Sequence, residues 1–161
     1  MTEYHFFIDK KLLNISENSQ ANDIALIKVA HTLEVDTKVK PIKLPAAGVD
    51  VKGETFAVGW AQSVDPSVLQ EVSLTIMDSS SCKSGGVLNE KEICVSGPTP
   101  KACVGDPGGP MYSDGAVVGI ASRGMGCNTQ GKHAIFTKVS SHVDWIKKTM
   151  ESSPGAARKL F

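Results

Sequence analysis

The sequence predicts an all-β protein, a Greek-key barrel or sandwich built from short strands, and three observations carry that prediction. Val72-Ser73-Leu74-Thr75-Ile76 alternates apolar and polar residues, the pattern of a strand with one face buried. Ala116-Val117-Val118-Gly119-Ile120 is a short apolar run bounded by turn signals, as expected of a strand covered on both faces. Turn-forming clusters at Gly85-Gly86, Gly97-Pro98 and Ser113-Asp114-Gly115 separate such runs at close intervals.

Taken in chain order, Phe56, Val58 and Trp60 alternate with Ala57 and Gly59 and are expected to share one face of a strand. The Val72–Ile76 strand follows, then the 116–120 run, then the β-rich Ala134-Ile135-Phe136-Thr137-Lys138-Val139. Thereafter the period changes. Val143, Ile146 and Met150 fall at helical spacing behind a Ser140-Ser141 capping candidate. Glu151 to Phe161 reads as a frayed tail.

The chain has 161 residues, enough for one ordinary domain with its own core. Seventeen basic and seventeen acidic side chains cancel, with no basic run for nucleic acid and no acidic tail. No stretch approaches the roughly 20 apolar residues of a membrane-spanning helix. Met1 to Leu12 has no uninterrupted apolar core of signal-peptide length, so the polypeptide as written offers no route to secretion. The four cysteines, Cys82, Cys94, Cys103 and Cys127, allow three pairings and point instead to an oxidising compartment. There is no Cys-x-x-Cys pair and no suitably placed histidine, so spacing argues against a zinc site.

Residues 102–111 read Ala-Cys-Val-Gly-Asp-Pro-Gly-Gly-Pro-Met. Gly105-Asp106-Pro107-Gly108-Gly109-Pro110 resembles the nucleophile loop of the trypsin/chymotrypsin family of serine proteases, Gly-Asp-Ser-Gly-Gly-Pro, with proline at the serine's place. Asn22-Asp23-Ile24-Ala25-Leu26-Ile27-Lys28-Val29 resembles the family segment that carries the triad aspartate. Gly119 to Cys127 resembles the strand and loop lining the substrate cleft, and Val143-Asp144-Trp145-Ile146-Lys147 the closing helix. Gly59-Trp60 and the Pro41-Ile42-Lys43-Leu44-Pro45 linker fall in the family's order. The resemblance spans roughly residues 3–150.

It implies a chymotrypsin-like Greek-key double barrel. Residues 46–150 would supply the C-terminal barrel and its helix, residues 1–45 a remnant of the N-terminal barrel plus linker, and residues 151–161 a tail. His5-Phe6-Phe7-Ile8 and Ala25-Leu26-Ile27 would be strands of that remnant. The resemblance also selects the pairings Cys82–Cys94 and Cys103–Cys127, each worth about 3 kcal/mol in the chain-entropy account. A further family bridge is absent, with Thr55 and Ser113 at its two ends, and Lys43 replaces a cysteine that tethers the propeptide in some members.

Residue by residue, Asp23 would be a vestigial triad aspartate. Pro107 offers no hydroxyl and no backbone N–H, so it removes the nucleophile and one oxyanion donor together, leaving Gly105 with the other. The Asp106 carboxylate pairs, in active members, with an ammonium freed by proteolytic activation. Here it is expected to turn outward or to find another cation. Lys101 stands where trypsin has the aspartate of its pocket floor, so it would repel basic side chains and could hold an acidic one. Ser122, Arg123, Gly124, Gly126 and Ala134 would line the pocket, Arg123 replacing an apolar wall and Ala134 adding a methyl group at its edge.

The family's histidine lies in an Ala-Ala-His-Cys-like segment before the aspartate, and none of His5, His31, His133 and His142 stands in one. The expectation is an N-terminally truncated, inactive protease homologue. It would work by binding a protein or peptide, such as a protease or protease-cascade component, without cofactor, nucleic acid or membrane. The alternative is a fragment or mispredicted gene model of a secreted serine endopeptidase.

Overall fold

The computed structural model describes residues 22–27, 33–60, 67–82, 88–97, 106–124 and 133–152. Six strands, β1 (Thr55–Gly59), β2 (Gln70–Met77), β3 (Glu92–Ser96), β4 (Pro110–Ser113), β5 (Ala116–Arg123) and β6 (Ala134–Lys138), are followed by helix α1 (Val143–Ser152). The strands close into an antiparallel barrel in the order β1-β2-β3-β6-β5-β4. The consecutive strands β4, β5 and β6 neighbour one another, and β3 returns beside β6, which is Greek-key connectivity.

Closure leaves no free edge on these strands and points alternate side chains inward. The core is Ala57, Leu74, Ile93, Val95, Met111, Val118, Ala121, Ala134 and Phe136. Gly119 is required there, because a Cβ at this position would lie 2.7 Å from Met111 Cε and 3.2 Å from Phe136 Cβ. The tight β4–β5 hairpin uses left-handed backbone at Asp114 (φ 48°) and Gly115 (φ 71°), the requirement that the Ser113-Asp114-Gly115 cluster signalled.

β1 faces the opposite way from the simplest reading of its sequence. Thr55, Ala57 and Gly59 are buried, while Phe56 and Val58 are half-buried and Trp60 is exposed. Small inward residues leave the barrel interior to Met111 and Phe136, and Phe56 instead stacks on Tyr112 outside, ring centroids 5.6 Å apart. Phe56 pairs with Tyr112 and Ala57 with Met111, so one further step of register sets Thr55 opposite Ser113. These two hydroxyls stand at the ends of the absent bridge. Both are buried and satisfied: Thr55 Oγ1 donates to the Leu74 carbonyl (2.9 Å) and Ser113 Oγ to that of Glu54 (2.7 Å).

Two further expectations change. Ala25-Leu26-Ile27 forms no strand with any described segment, and His5 to Ile8 lies outside the described residues. Ser140 and Ser141 do not cap α1, because Val139–His142 already winds as a 3-10 turn that runs straight into it. A capping residue needs non-helical backbone in front of the helix, and the turn leaves none. The Ser140 carbonyl accepts the Gly48 N–H (2.9 Å), while the Lys43 carbonyl accepts the Val117 N–H (2.9 Å), so the linker lies against the barrel.

His142 is buried in that turn, and its Nε2 has no hydrogen-bond partner among the described residues. Burial, and then the nearby charge of Lys91, push its pKa below the ordinary 6.5. The unfolded chain therefore takes up a proton that the folded one refuses. Stability is fully present above pH 6.5 and falls as pH drops from there toward the lowered folded value. Urea midpoints measured between about pH 8 and about pH 5 should decline in the wild type and decline less in His142→Phe. Equal slopes would remove His142 as the cause.

Candidate functional site

The loop that enters β4 is a β-turn. The Gly109 N–H donates to the Asp106 carbonyl (2.8 Å), and Gly108 has φ +78°. Pro107 occupies the second position and Gly108 the third, the arrangement of a type II turn, in which proline supplies the required φ and its missing N–H is not used. The exposed proline therefore fits the local geometry. Two bonds fasten this turn to β5, from the Gly108 N–H to the Ala121 carbonyl (2.8 Å) and from the Ala121 N–H to the Gly109 carbonyl (2.9 Å).

The Asp106 side chain finds a partner that neither sequence-level alternative included. Its Oδ2 accepts the backbone N–H of Trp60 at 2.7 Å, a charge-assisted bond at the end of β1. Gly59 makes the approach possible, since a Cβ there would stand 2.5 Å from Asp106 Oδ2 and 3.1 Å from its backbone nitrogen. Gly59→Ala should therefore displace the Asp106 turn and cost about 1–3 kcal/mol, the range for overpacking a filled site. Thermal unfolding of the variant checks this, and an unchanged midpoint would show that the turn yields freely.

Asp23 is held by two partners, and its neighbour Asn22 by a third. Its Oδ2 accepts from Ser122 Oγ (2.7 Å), its carbonyl accepts from Thr137 Oγ1 (2.8 Å), and Lys91 Nζ donates to Asn22 Oδ1 (3.0 Å). Asn22 takes left-handed backbone (φ 63°), which asparagine tolerates, and this turns Asp23 onto the barrel. Two residues chosen separately from the sequence, Asp23 and Ser122, thus meet across 99 positions of chain. Ala121, which anchors the Pro107 turn, immediately precedes Ser122, so the Asp23 carboxylate and the turn are tied to adjacent residues of β5.

The remaining pocket candidates diverge. Arg123 pairs with Glu92 of β3, whose other oxygen accepts the Asn89 N–H at 3.0 Å. Its guanidinium is committed to the barrel wall. Ala134 is buried in the core, so the methyl group expected at the pocket edge packs inward. Gly124 keeps the chain close to β6, where a Cβ would meet the His133 carbonyl oxygen at 2.7 Å, and its φ of +78° also favours glycine. Lys101, Gly105, Gly126, Cys103 and Cys127 lie outside the described residues. Cys82 and Cys94 are joined by a disulfide.

Sequence reasoning passed over three contributors. Gly59, a glycine ending a strand, is a recognised sign of close backbone approach. Glu92 leads the otherwise apolar run Glu92-Ile93-Cys94-Val95, where a buried acid requires a partner. His133 lies beside the disulfide, its ring nitrogen and the two sulfurs all within 4.8 Å of one another. Residues so far apart in sequence carry no local signal of that proximity.

A six-stranded antiparallel barrel with a closing helix, and an Asp106 turn linked to the Asp23–Ser122 pair, define a chymotrypsin-like protease fold. The trypsin family model matches residues 4–146, and the chain belongs to that family. It is 33% identical over 145 residues to trypsin I-P1 of Gallus gallus, covering 84% of this chain and 58% of that protein. The crystal structure of a scabies mite inactivated protease paralogue, S-I1, superposes with a TM-score of 0.74 at 26% identity, covering 94% of this chain and 69% of the other. Neuropsin, a serine protease expressed in the limbic system of mouse brain, gives 0.73 at 31% identity, with 89% and 69% covered.

Proposed function

We propose that this protein is a catalytically inactive member of the trypsin family that acts by binding a protein or peptide, a protease or protease-cascade component being the class of partner. The carrying observation is Pro107 at the nucleophile position, seated in a turn whose geometry suits proline. Acyl transfer needs a nucleophilic oxygen or sulfur at that point, and proline supplies neither. The likeness to a scabies mite protein whose title calls it inactivated supports the reading. The Cys82–Cys94 disulfide fits an extracellular setting, where such partners would be met.

Two measurements test the proposal together. The protein should take no label from a serine-directed fluorophosphonate, and it should bind an active trypsin-family protease or its inhibitor in a titration by calorimetry. A stoichiometric adduct on one serine would favour the endopeptidase reading. Absence of both labelling and binding would leave a fold without the proposed role.

A further inference from the structure

We propose that Cys82, Cys94 and His133 form a redox-gated metal site: a disulfide when oxidised, and a Cys₂His site for zinc once a dithiol has reduced it. The three residues are already neighbours. The two sulfurs are bonded to each other in the oxidised form, and a ring nitrogen of His133 lies within 4.8 Å of both. Two thiolates on one tetrahedral zinc, at about 2.3 Å each, sit roughly 3.7 Å apart. The two Cα atoms are 6.1 Å apart, so the sulfurs can separate by side-chain rotation.

One ligand comes from a rigid ladder and another from the residue beside it. Cys94 of β3 pairs with Ile135 of β6, and His133 immediately precedes that strand. Cys82 follows the 3-10 turn Ser79–Ser81 and closes the site from the third side. Cys82 and His133 are half-buried, giving a reductant and an ion a way in, while Cys94 is buried. With two thiolates the zinc centre is neutral, and its fourth position stays open to water or an added ligand.

The chemistry balances. A dithiol transfers two electrons and two protons to the Cys82–Cys94 bond, yielding two thiols and the oxidised, cyclic form of the dithiol. Zinc then displaces both thiol protons to solvent, and a ring nitrogen of His133 completes the Cys₂His set.

The test uses the whole 161-residue chain, reduced with a dithiol, freed of it anaerobically and titrated with cobalt(II) and then zinc. One equivalent of cobalt should bind with thiolate-to-cobalt charge-transfer absorption and be displaced by zinc, and the oxidised protein should give no such band. Zinc should protect Cys82 and Cys94 from alkylation, mapped by peptide mass, while Cys103 and Cys127 remain reactive. His133→Gln should weaken cobalt binding at least about tenfold, as expected for loss of a ligand. If reduction unfolds the chain, metal should restore its β circular dichroism in the wild type and not in His133→Gln. Equal affinity in His133→Gln, protection of Cys103 and Cys127 instead, or recovery in neither protein would overturn the site.

Discussion

The 161-residue protein is expected to hydrolyse peptide and ester substrates about 10⁶-fold more slowly than an intact serine-protease triad, and Pro107→Ser to leave that deficit largely in place. The substitution returns both the hydroxyl and the second backbone N–H to the turn, so it addresses each local loss. The type II turn tolerates serine at its second position, and the bonds from Gly108 and to Gly109 are unaffected by the side chain. A hydroxyl still needs a base within hydrogen-bond reach. His142 is buried in the 3-10 turn before α1, and His133 lies against the Cys82–Cys94 disulfide. Triad members act as a unit, so a serine without its base recovers almost nothing. Binding and oxyanion contacts alone leave roughly 10³ over water, below an ordinary turnover assay. Chromogenic turnover and intact-mass detection of a fluorophosphonate adduct check the variant. Robust turnover by Pro107→Ser would show that a histidine of this chain does reach the turn.

Arg123→Met is expected to destabilise the fold by about 3 kcal/mol, lowering the melting temperature by roughly 10 °C. The pair it breaks is asymmetric: the Glu92 side chain is 4% exposed and that of Arg123 is 21%. Removing the arginine strands a buried carboxylate with only the Asn89 N–H to offset its lost hydration. Removing the glutamate leaves a guanidinium that can still reach water, so Glu92→Met should cost less. The double replacement deletes both desolvation costs and should be more stable than Arg123→Met alone. Thermal unfolding of the four proteins gives the coupling directly. Equal losses for the two single variants, adding in the double, would mean that solvent screens the pair and that Arg123 is available to a ligand.

Arg123 shows how sequence and structure divide the information. Its position next to Ser122 was readable, because the resemblance from Gly119 to Cys127 aligns the strand residue by residue. Where its guanidinium goes depends on Glu92, 31 residues earlier, which faces it only because β3 and β5 flank β6. Ala134 divides in the same way. Alignment gives its place in the chain, and the β3–β6 ladder, which pairs it with Val95, sets it among the core residues.

The parity of β1 is a further instance. Phe56 and Val58 are the larger apolar residues, so periodicity read alone turns them inward. The smaller residues face inward instead, Ala57 into the core with Met111 and Phe136 and Gly59 against the Asp106 side chain.

By itself, the sequence determined what depends on residue type and local order. It carried the all-β class, through alternation and turn chemistry; the family, through the spacing of the Asp23, Asp106 and closing-helix segments; and the lack of a hydroxyl at Pro107, which no fold can supply. Only the tertiary structure decided who meets whom: Asp106 with the Trp60 N–H, Asp23 with Ser122, Arg123 with Glu92, and His133 with the disulfide. These contacts join strands distant in the chain, and barrel closure sets their registers together. A single residue's chemistry can be read locally, whereas its partner is selected by the packing of the whole barrel.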